Sequence, residues 1–250
     1  MTFINKLTGL QNYNININSL PVQFKGRTEI FANRELEPYK DSFSTNPLYE
    51  DYGTKQQIEQ AVMSNPRIKE ILREYNLPLK INMEELEKLK SGHLKDTRVI
   101  AAKIYSALPQ DMKAEVNPED LQTAALYHDF GKILIPKEIL NKPDALTKSE
   151  KEIVDLHSEL GYELLKSLGV KPSVLKMIKN HHQSPDTEYT RIDNDVGEEI
   201  LQAADKYSAL TEERSYKGAL PKEEALKIIY DDVGNGRMSE EVYTALEKIA

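Results

Sequence analysis

Pro118-Glu-Asp-Leu-Gln-Thr-Ala-Ala-Leu-Tyr127, followed at once by His128-Asp-Phe-Gly-Lys132, is the stretch whose pattern sets the fold class. Pro118 suits a first helical position, where its missing N–H would have no intrahelical partner anyway. Leu121, Ala125 and His128 then recur at three- and four-residue spacing, so one face of a helix carries apolar side chains and finishes on an imidazole. Gly131 reads as the stop of that helix. His128, Asp129 and Lys132 are thereby left together at its end, which can serve one site only if that end borders a cavity.

Outward from this stretch the same helical period runs from Lys55 to the C-terminus. It predicts helices over 55–75 (with a break before Pro66), 83–108, 118–127, 148–168, 172–182, 195–210 and 221–231, and a short last one from Ser239. Thr147-Lys-Ser-Glu150 reads as a capping box, and Pro172 and Pro221 stand where first helical residues belong. Only residues 132–136 resemble a strand. The expected class is all-α, a helical bundle of about seven helices. Residues 1–54 differ in kind, being rich in Asn, Ser, Pro and Tyr, with Ile15 and Ile17 alternating with Asn. They are expected to form an irregular N-terminal arm that wraps the domain at 55–250, stays unfolded or binds a partner.

The chain has 250 residues, 39% of them hydrophobic and 30% charged, which is enough to fold around a sizeable core. The 33 basic against 41 acidic residues, a formal charge of −8, argue against a non-specific binder of DNA or of anionic membranes. There is no cysteine, which excludes disulfides, thiolate-ligated metal and thiol catalysis. A metal site must therefore use His, Asp or Glu. Neither a signal-peptide pattern nor a run of about 18 apolar residues occurs, so a cytoplasmic protein is expected.

Each of the five histidines falls on the apolar stripe of its helix. His93 continues Leu86 and Leu89 toward Ile100 and Ile104; His157 lies between Ile153 and Leu160; His181 and His182 follow Val174 and Ile178; Asp205 follows Leu201 and Ala204. One histidine in such a place is ordinarily a hydrogen-bonded core residue. Several imidazoles buried beside Asp129 and Asp205 would cost several kcal/mol per charged group unless something compensated them. A bound cation offsets the carboxylates and takes neutral imidazole as ligand.

These residues resemble the HD superfamily of metal-dependent phosphohydrolases, and more closely its HD-GYP branch, from His93 to the C-terminus. The resemblance rests on His93, His128-Asp129 and Asp205, on His157 and the pair His181-His182, and on three segments. The segments are His128-Asp-Phe-Gly-Lys-Ile-Leu-Ile-Pro136, Leu146-Thr-Lys-Ser-Glu150, and Ala204-Asp-Lys-Tyr-Ser-Ala-Leu-Thr211 with Arg214-Ser-Tyr-Lys217. It implies an HD-domain bundle in which His93, His128, Asp129, His157, His181, His182 and Asp205 hold two divalent metal ions. Asp129 is shared between His93, His128 and Asp205 on one side and His157, His181 and His182 on the other. The imidazole-rich set suits iron, manganese or zinc better than magnesium or calcium, and the family favours iron or manganese.

The implied function is a phosphodiesterase acting on a cyclic dinucleotide such as cyclic di-GMP, or on a related nucleotide, by attack of a metal-bridging hydroxide. Lys132 would stabilise charge on a phosphate oxygen, and Arg98 or Arg214 would bind a distal phosphate; the ordinary alternatives are a solvated lysine and surface ion pairs. The chain departs from the branch at the loop after the double histidine, where His181-His-Gln-Ser-Pro-Asp-Thr-Glu-Tyr189 lacks Gly-Tyr-Pro. Leu89 stands where trinuclear members carry a Glu, which favours two metals, and Ser208 replaces an Asp. The alternatives are a nucleotide phosphomonoesterase of the superfamily and a catalytically silent HD binding module. Residues 1–92 contain no recognisable sensory domain, which leaves regulation to a partner protein.

Overall fold

The computed structural model describes residues 54–91, 93–182, 195–212 and 218–250. The arm at 1–53, the loop that lacks Gly-Tyr-Pro and Arg214 lie outside the described residues, as do the side chains of Leu86 and Leu89. The described chain is helical, with no residue in a strand. No helix in it is long and apolar enough to cross a membrane.

Asn65 divides the first helical stretch into α1 (Lys55–Ser64) and α2 (Pro66–Glu74), because its side chain accepts from the N–H groups of Arg67 and Ile68 and so caps the second helix. The elements that follow are α3 (Met83–Ser91), α4 (His93–Ala107), α5 (Gln110–Ala114), α6 (Pro118–Tyr127), a 3-10 turn (Phe130–Leu134) and α7 (Lys137–Leu140). After them come α8 (Lys148–Asp155), α9 (His157–Ser167), α10 (Pro172–Asn180), α11 (Val196–Thr211), α12 (Lys222–Gly234) and α13 (Glu240–Ile249). The capping box at Thr147 is formed, and Asp195 caps α11 in the same reciprocal way with Glu198.

One apolar core runs from Ile58 to Leu246. Helix α4 packs on α11, α6 and α13, while α10 bridges α6, α9 and α11. Helices α6 and α10 thus pack beside α11, while α8 joins the bundle through α9.

Two local expectations are corrected. Residues 132–136 are no strand: Lys132 N–H bonds to Asp129 O and Ile135 N–H bonds to Lys132 O, the three-residue spacing of a 3-10 turn, and Ile133, Leu134 and Ile135 are buried in the core. Nor is Gly131 a left-handed helix stop, since α6 ends at Tyr127 and Gly131 has no positive φ. Its reason is close approach: a Cβ there would lie 2.0 Å from His157 O and 2.5 Å from Gly161 N. The turn carrying Asp129 and Lys132 lies backbone against backbone on α9, which only glycine permits.

Candidate metal centre

Three helices end one or two residues before a histidine, and the same local chemistry explains each end. His128 Nδ1–H donates to Ala125 O at 2.8 Å, His157 to Val154 O at 2.6 Å, and His181 to Ile178 O at 2.6 Å. In a continuing helix each of those carbonyls would accept from the N–H four residues on. Here the ring takes the carbonyl, so α6, α8 and α10 stop and the long helix expected over 148–168 breaks at Leu156. Because a carbonyl only accepts, Nδ1 carries the proton and Nε2 keeps its lone pair toward the interior. Three helix C-termini, each with the negative end of its dipole, also face the cluster, an arrangement that favours a cation.

All seven residues expected from the sequence come together. Asp129 Oδ1 is 3.3 Å from His157 Nε2, and its Oδ2 is 3.5 Å from His128 Nε2 and 3.7 Å from His93 Nε2. Asp205 Oδ1 lies 2.8 Å from His93 Nε2 and 3.4 Å from His128 Nε2. Donor atoms lie within 4.8 Å of one another in three sets: His157, His181 and His182; His93, His128 and Asp129; and His128, His181 and Asp205. His181 stands in two of them, so the geometry divides less sharply than the sequence-based partition. His128, Asp129 and His181 are fully buried, whereas the His182 side chain, expected to point inward, is 43% exposed.

The donors fit divalent metal ions. His128 Nε2 and Asp129 Oδ1 are buried and make no hydrogen bond, and the Nε2 atoms of His157 and His181 face each other at 3.1 Å. Opposed lone pairs and buried carboxylates are what a shared cation stabilises.

The electrostatics agree with this. Burial pushes His157 down to about 3, and burial also lowers His181 and His182, so these imidazoles are neutral at pH 7. Burial acts on His128 in the same direction, but the carboxylates of Asp129 and Asp205 outweigh it and leave His128 raised. Both carboxylates stay ionised despite burial, Asp129 through the charges of Lys132 and His128, and Asp205 through the His128 and His93 rings beside it.

A proton on His128 therefore competes with metal. Metal uptake is expected to release a proton from this ring wherever the ring is protonated, and affinity is expected to fall as pH drops through its raised pKa. Calorimetric titration in buffers of different ionisation enthalpy measures that proton.

His93 is held differently. Its Nδ1 faces Ser208 Oγ at 3.0 Å, with Glu212 Oε2 at 3.7 Å. The serine thus takes the orienting place behind a candidate ligand, and its hydroxyl suits either tautomer because it both donates and accepts. Ser208→Ala is expected to weaken metal binding by roughly 10–100-fold without unfolding the protein. A metal titration with a competing chelator, beside a melting curve, checks both.

Lys132 Nζ lies 2.6 Å from Asp129 Oδ2 with its side chain 20% exposed. Arg98 is half-buried on α4. A cleft of about 800 Å³ opens beside His181, His182 and Asp205, and Tyr75, Lys151, Lys179, Lys206 and Arg237 line it as well. Neither Lys132 nor Arg98 lines this cleft. The sequence pattern gave no warning of its lining side chains, which come from five separate elements and share no motif.

The HD domain family model matches residues 90–210. The 3'3'-cGAMP-specific phosphodiesterase 1 of Vibrio cholerae is 31% identical over 131 residues, which cover 50% of this chain and 30% of that protein. A cyclic di-GMP phosphodiesterase of Thermotoga maritima is 33% identical over 144 residues, 54% of this chain and 39% of that one. The crystal structure of a cyclic GMP-AMP-specific phosphodiesterase of Vibrio cholerae aligns with a TM-score of 0.37 at 24% identity, covering 63% of this chain and 36% of that one. The chain thus spans well under half the length of these relatives. With the family match running across the His and Asp residues of the cluster, residues 90–210 are identified as an HD domain, similar to that of the cyclic dinucleotide phosphodiesterases named above.

Proposed function

We propose that the protein is a metal-dependent phosphodiesterase that hydrolyses a cyclic dinucleotide of the cyclic di-GMP or 3'3'-cGAMP type. The observation that carries this reading is the carboxylate of Asp129, whose Oδ1 faces His157 while its Oδ2 faces His128 and His93. A carboxylate with one oxygen toward each of two imidazole groups is the natural bridge of a binuclear centre. His93, His128 and Asp205 would hold one ion, and His157, His181 and His182 the other. Iron or manganese suits the set best and zinc is admissible, since imidazoles outnumber carboxylates and no thiolate is present. Such a pair supplies Lewis acidity to a phosphate diester and a nucleophile active near neutral pH.

The chain's own residues do the rest. The backbone carbonyls of Ala125, Val154 and Ile178 fix three rings in the ligating tautomer. Lys132, beside Asp129 and partly exposed, would neutralise charge on a non-bridging phosphate oxygen. The curated relatives support a cyclic dinucleotide as substrate, because their names give cyclic di-GMP or 3'3'-cGAMP.

The test is anaerobic purification without chelator, elemental analysis, and assay against cyclic di-GMP, 3'3'-cGAMP, linear dinucleotides, a simple aryl diester and mononucleotides. About two ions per chain and cleavage of a cyclic dinucleotide to a linear product are expected. Phosphate released from mononucleotides alone would make the protein a phosphomonoesterase. Full metal with no turnover of any substrate would make it a binding module.

A further inference from the structure

Tyr75 follows α2 and so precedes the region matched by the HD domain. Its ring is 38% exposed, yet its support is stiff. Tyr75 N–H donates to Ile71 O at 3.2 Å, Asn76 turns left-handed with φ of 51°, and Leu77 N–H closes the turn on Leu72 O at 2.7 Å. Ile68, Ile71 and Leu72 anchor the helix in the core. The Arg67 guanidinium clamps its start to Glu159 at 2.7 and 3.2 Å, and the Asn65 amide reaches Glu163 O and Ser167 Oγ on α9.

The ring lines the same cleft as His181, His182 and Asp205. At about 800 Å³ that cleft has the size of cavities that enclose whole drug-sized ligands. Lys151 and Lys179 line it too, together with Glu152, Asp155 and Glu159. Lys179 lies 5.2 Å over the Tyr162 ring.

We infer that Tyr75, Lys151 and Lys179 form a distal nucleotide subsite, in which the Tyr75 ring stacks on a nucleobase and the two ammonium groups hold the phosphate that is not being cleaved. The inference rests on the diesterase reading and names how that site selects its substrate. A cyclic dinucleotide carries two phosphates and two bases, and only one phosphate can occupy the cluster where Lys132 stands. The other half needs an aromatic face and positive charge at a distance, which an exposed ring on a rigid helix end and two lysines supply. A substrate without that second half gains nothing from them.

The experiment compares metal-loaded full-length wild type, Tyr75→Ala, Tyr75→Phe and the double variant Lys151→Ala/Lys179→Ala. The substrates are cyclic di-GMP, 3'3'-cGAMP and bis(4-nitrophenyl) phosphate, which has neither base nor second phosphate. Tyr75→Ala should raise KM for a cyclic dinucleotide by about tenfold or more, with kcat within about twofold, and Tyr75→Phe should restore it. The lysine variant should raise the same KM, and no variant should change metal content or KM for the aryl diester. An unchanged dinucleotide KM, or an equal loss toward both substrates, overturns the subsite. Equilibrium binding of cyclic di-GMP separates the two readings. Binding without turnover that Tyr75→Ala weakens sinks the diesterase and keeps the subsite, whereas absence of binding to the wild type overturns the subsite as well.

Discussion

Asp129→Asn is expected to lower turnover of any phosphodiester by roughly 10³-fold or more, because it removes the carboxylate whose two oxygens face imidazoles of both halves of the cluster. The asparagine fills the same space, but its amide nitrogen cannot face an imidazole ring as a ligand and the side chain carries no charge to share between two ions. Metal content should fall well below that of the wild type, which a variant confined to one half, such as His182→Ala, should not match. The metal-free protein should itself melt at a lower temperature, since the change removes one partner of the buried Asp129–Lys132 pair, so metal content is read at a temperature where the variant is still folded. The stabilisation that added metal gives the wild type in a melting experiment should shrink accordingly. A variant that retained full metal and full activity would show that Asp129 bridges nothing.

Gly131→Ala is expected to produce the largest loss of stability for a change of one methyl group. The new carbon would lie 2.0 Å from His157 O, 2.5 Å from Gly161 N and 2.9 Å from His157 C. All three are backbone atoms, so no side chain can rotate aside and α9 itself must move. The cost belongs at the upper end of the ~1–3 kcal/mol usual for overpacking, or beyond it. For a chain of this size that lowers Tm by roughly 6–12 °C. Because the residue pushed away is His157, metal affinity should fall with the melting temperature if His157 is a ligand as proposed. Gly161→Ala is the control, since its added carbon would come no nearer than 3.2 Å to Gly131 N. A Gly131→Ala protein with wild-type melting and metal content would contradict the close approach of the turn to α9.

Much of the site was legible because its chemistry is tied to local pattern. His128, His181 and Asp205 stand on apolar stripes that the spacing of Leu121 and Ala125, of Val174 and Ile178, and of Leu201 and Ala204 already announces. The capping box at Thr147 and the prolines at 118 and 172 are signals read within one helical turn, and those helix starts fall where they point. The strand resemblance of 132–136 misled for the opposite reason. A run of apolar residues marks burial, and burial alone does not separate a strand from a 3-10 turn sunk in the core.

What the sequence by itself determined, then, is the all-α class, the limits of most helices, and the identities of the His and Asp residues that meet, all of which follow from periods and caps a few residues long. Only the tertiary structure decided that the long helix breaks at Leu156, that Gly131 is demanded by the His157 carbonyl rather than by a helix stop, that Asp129 turns its two oxygens to different imidazole groups, and that Tyr75 shares a cleft with His182. Each of those depends on the approach of segments that are separate along the chain, by more than a hundred residues for Tyr75 and His182. Their spacing is set by packing in a common core, which leaves no period in the sequence to read.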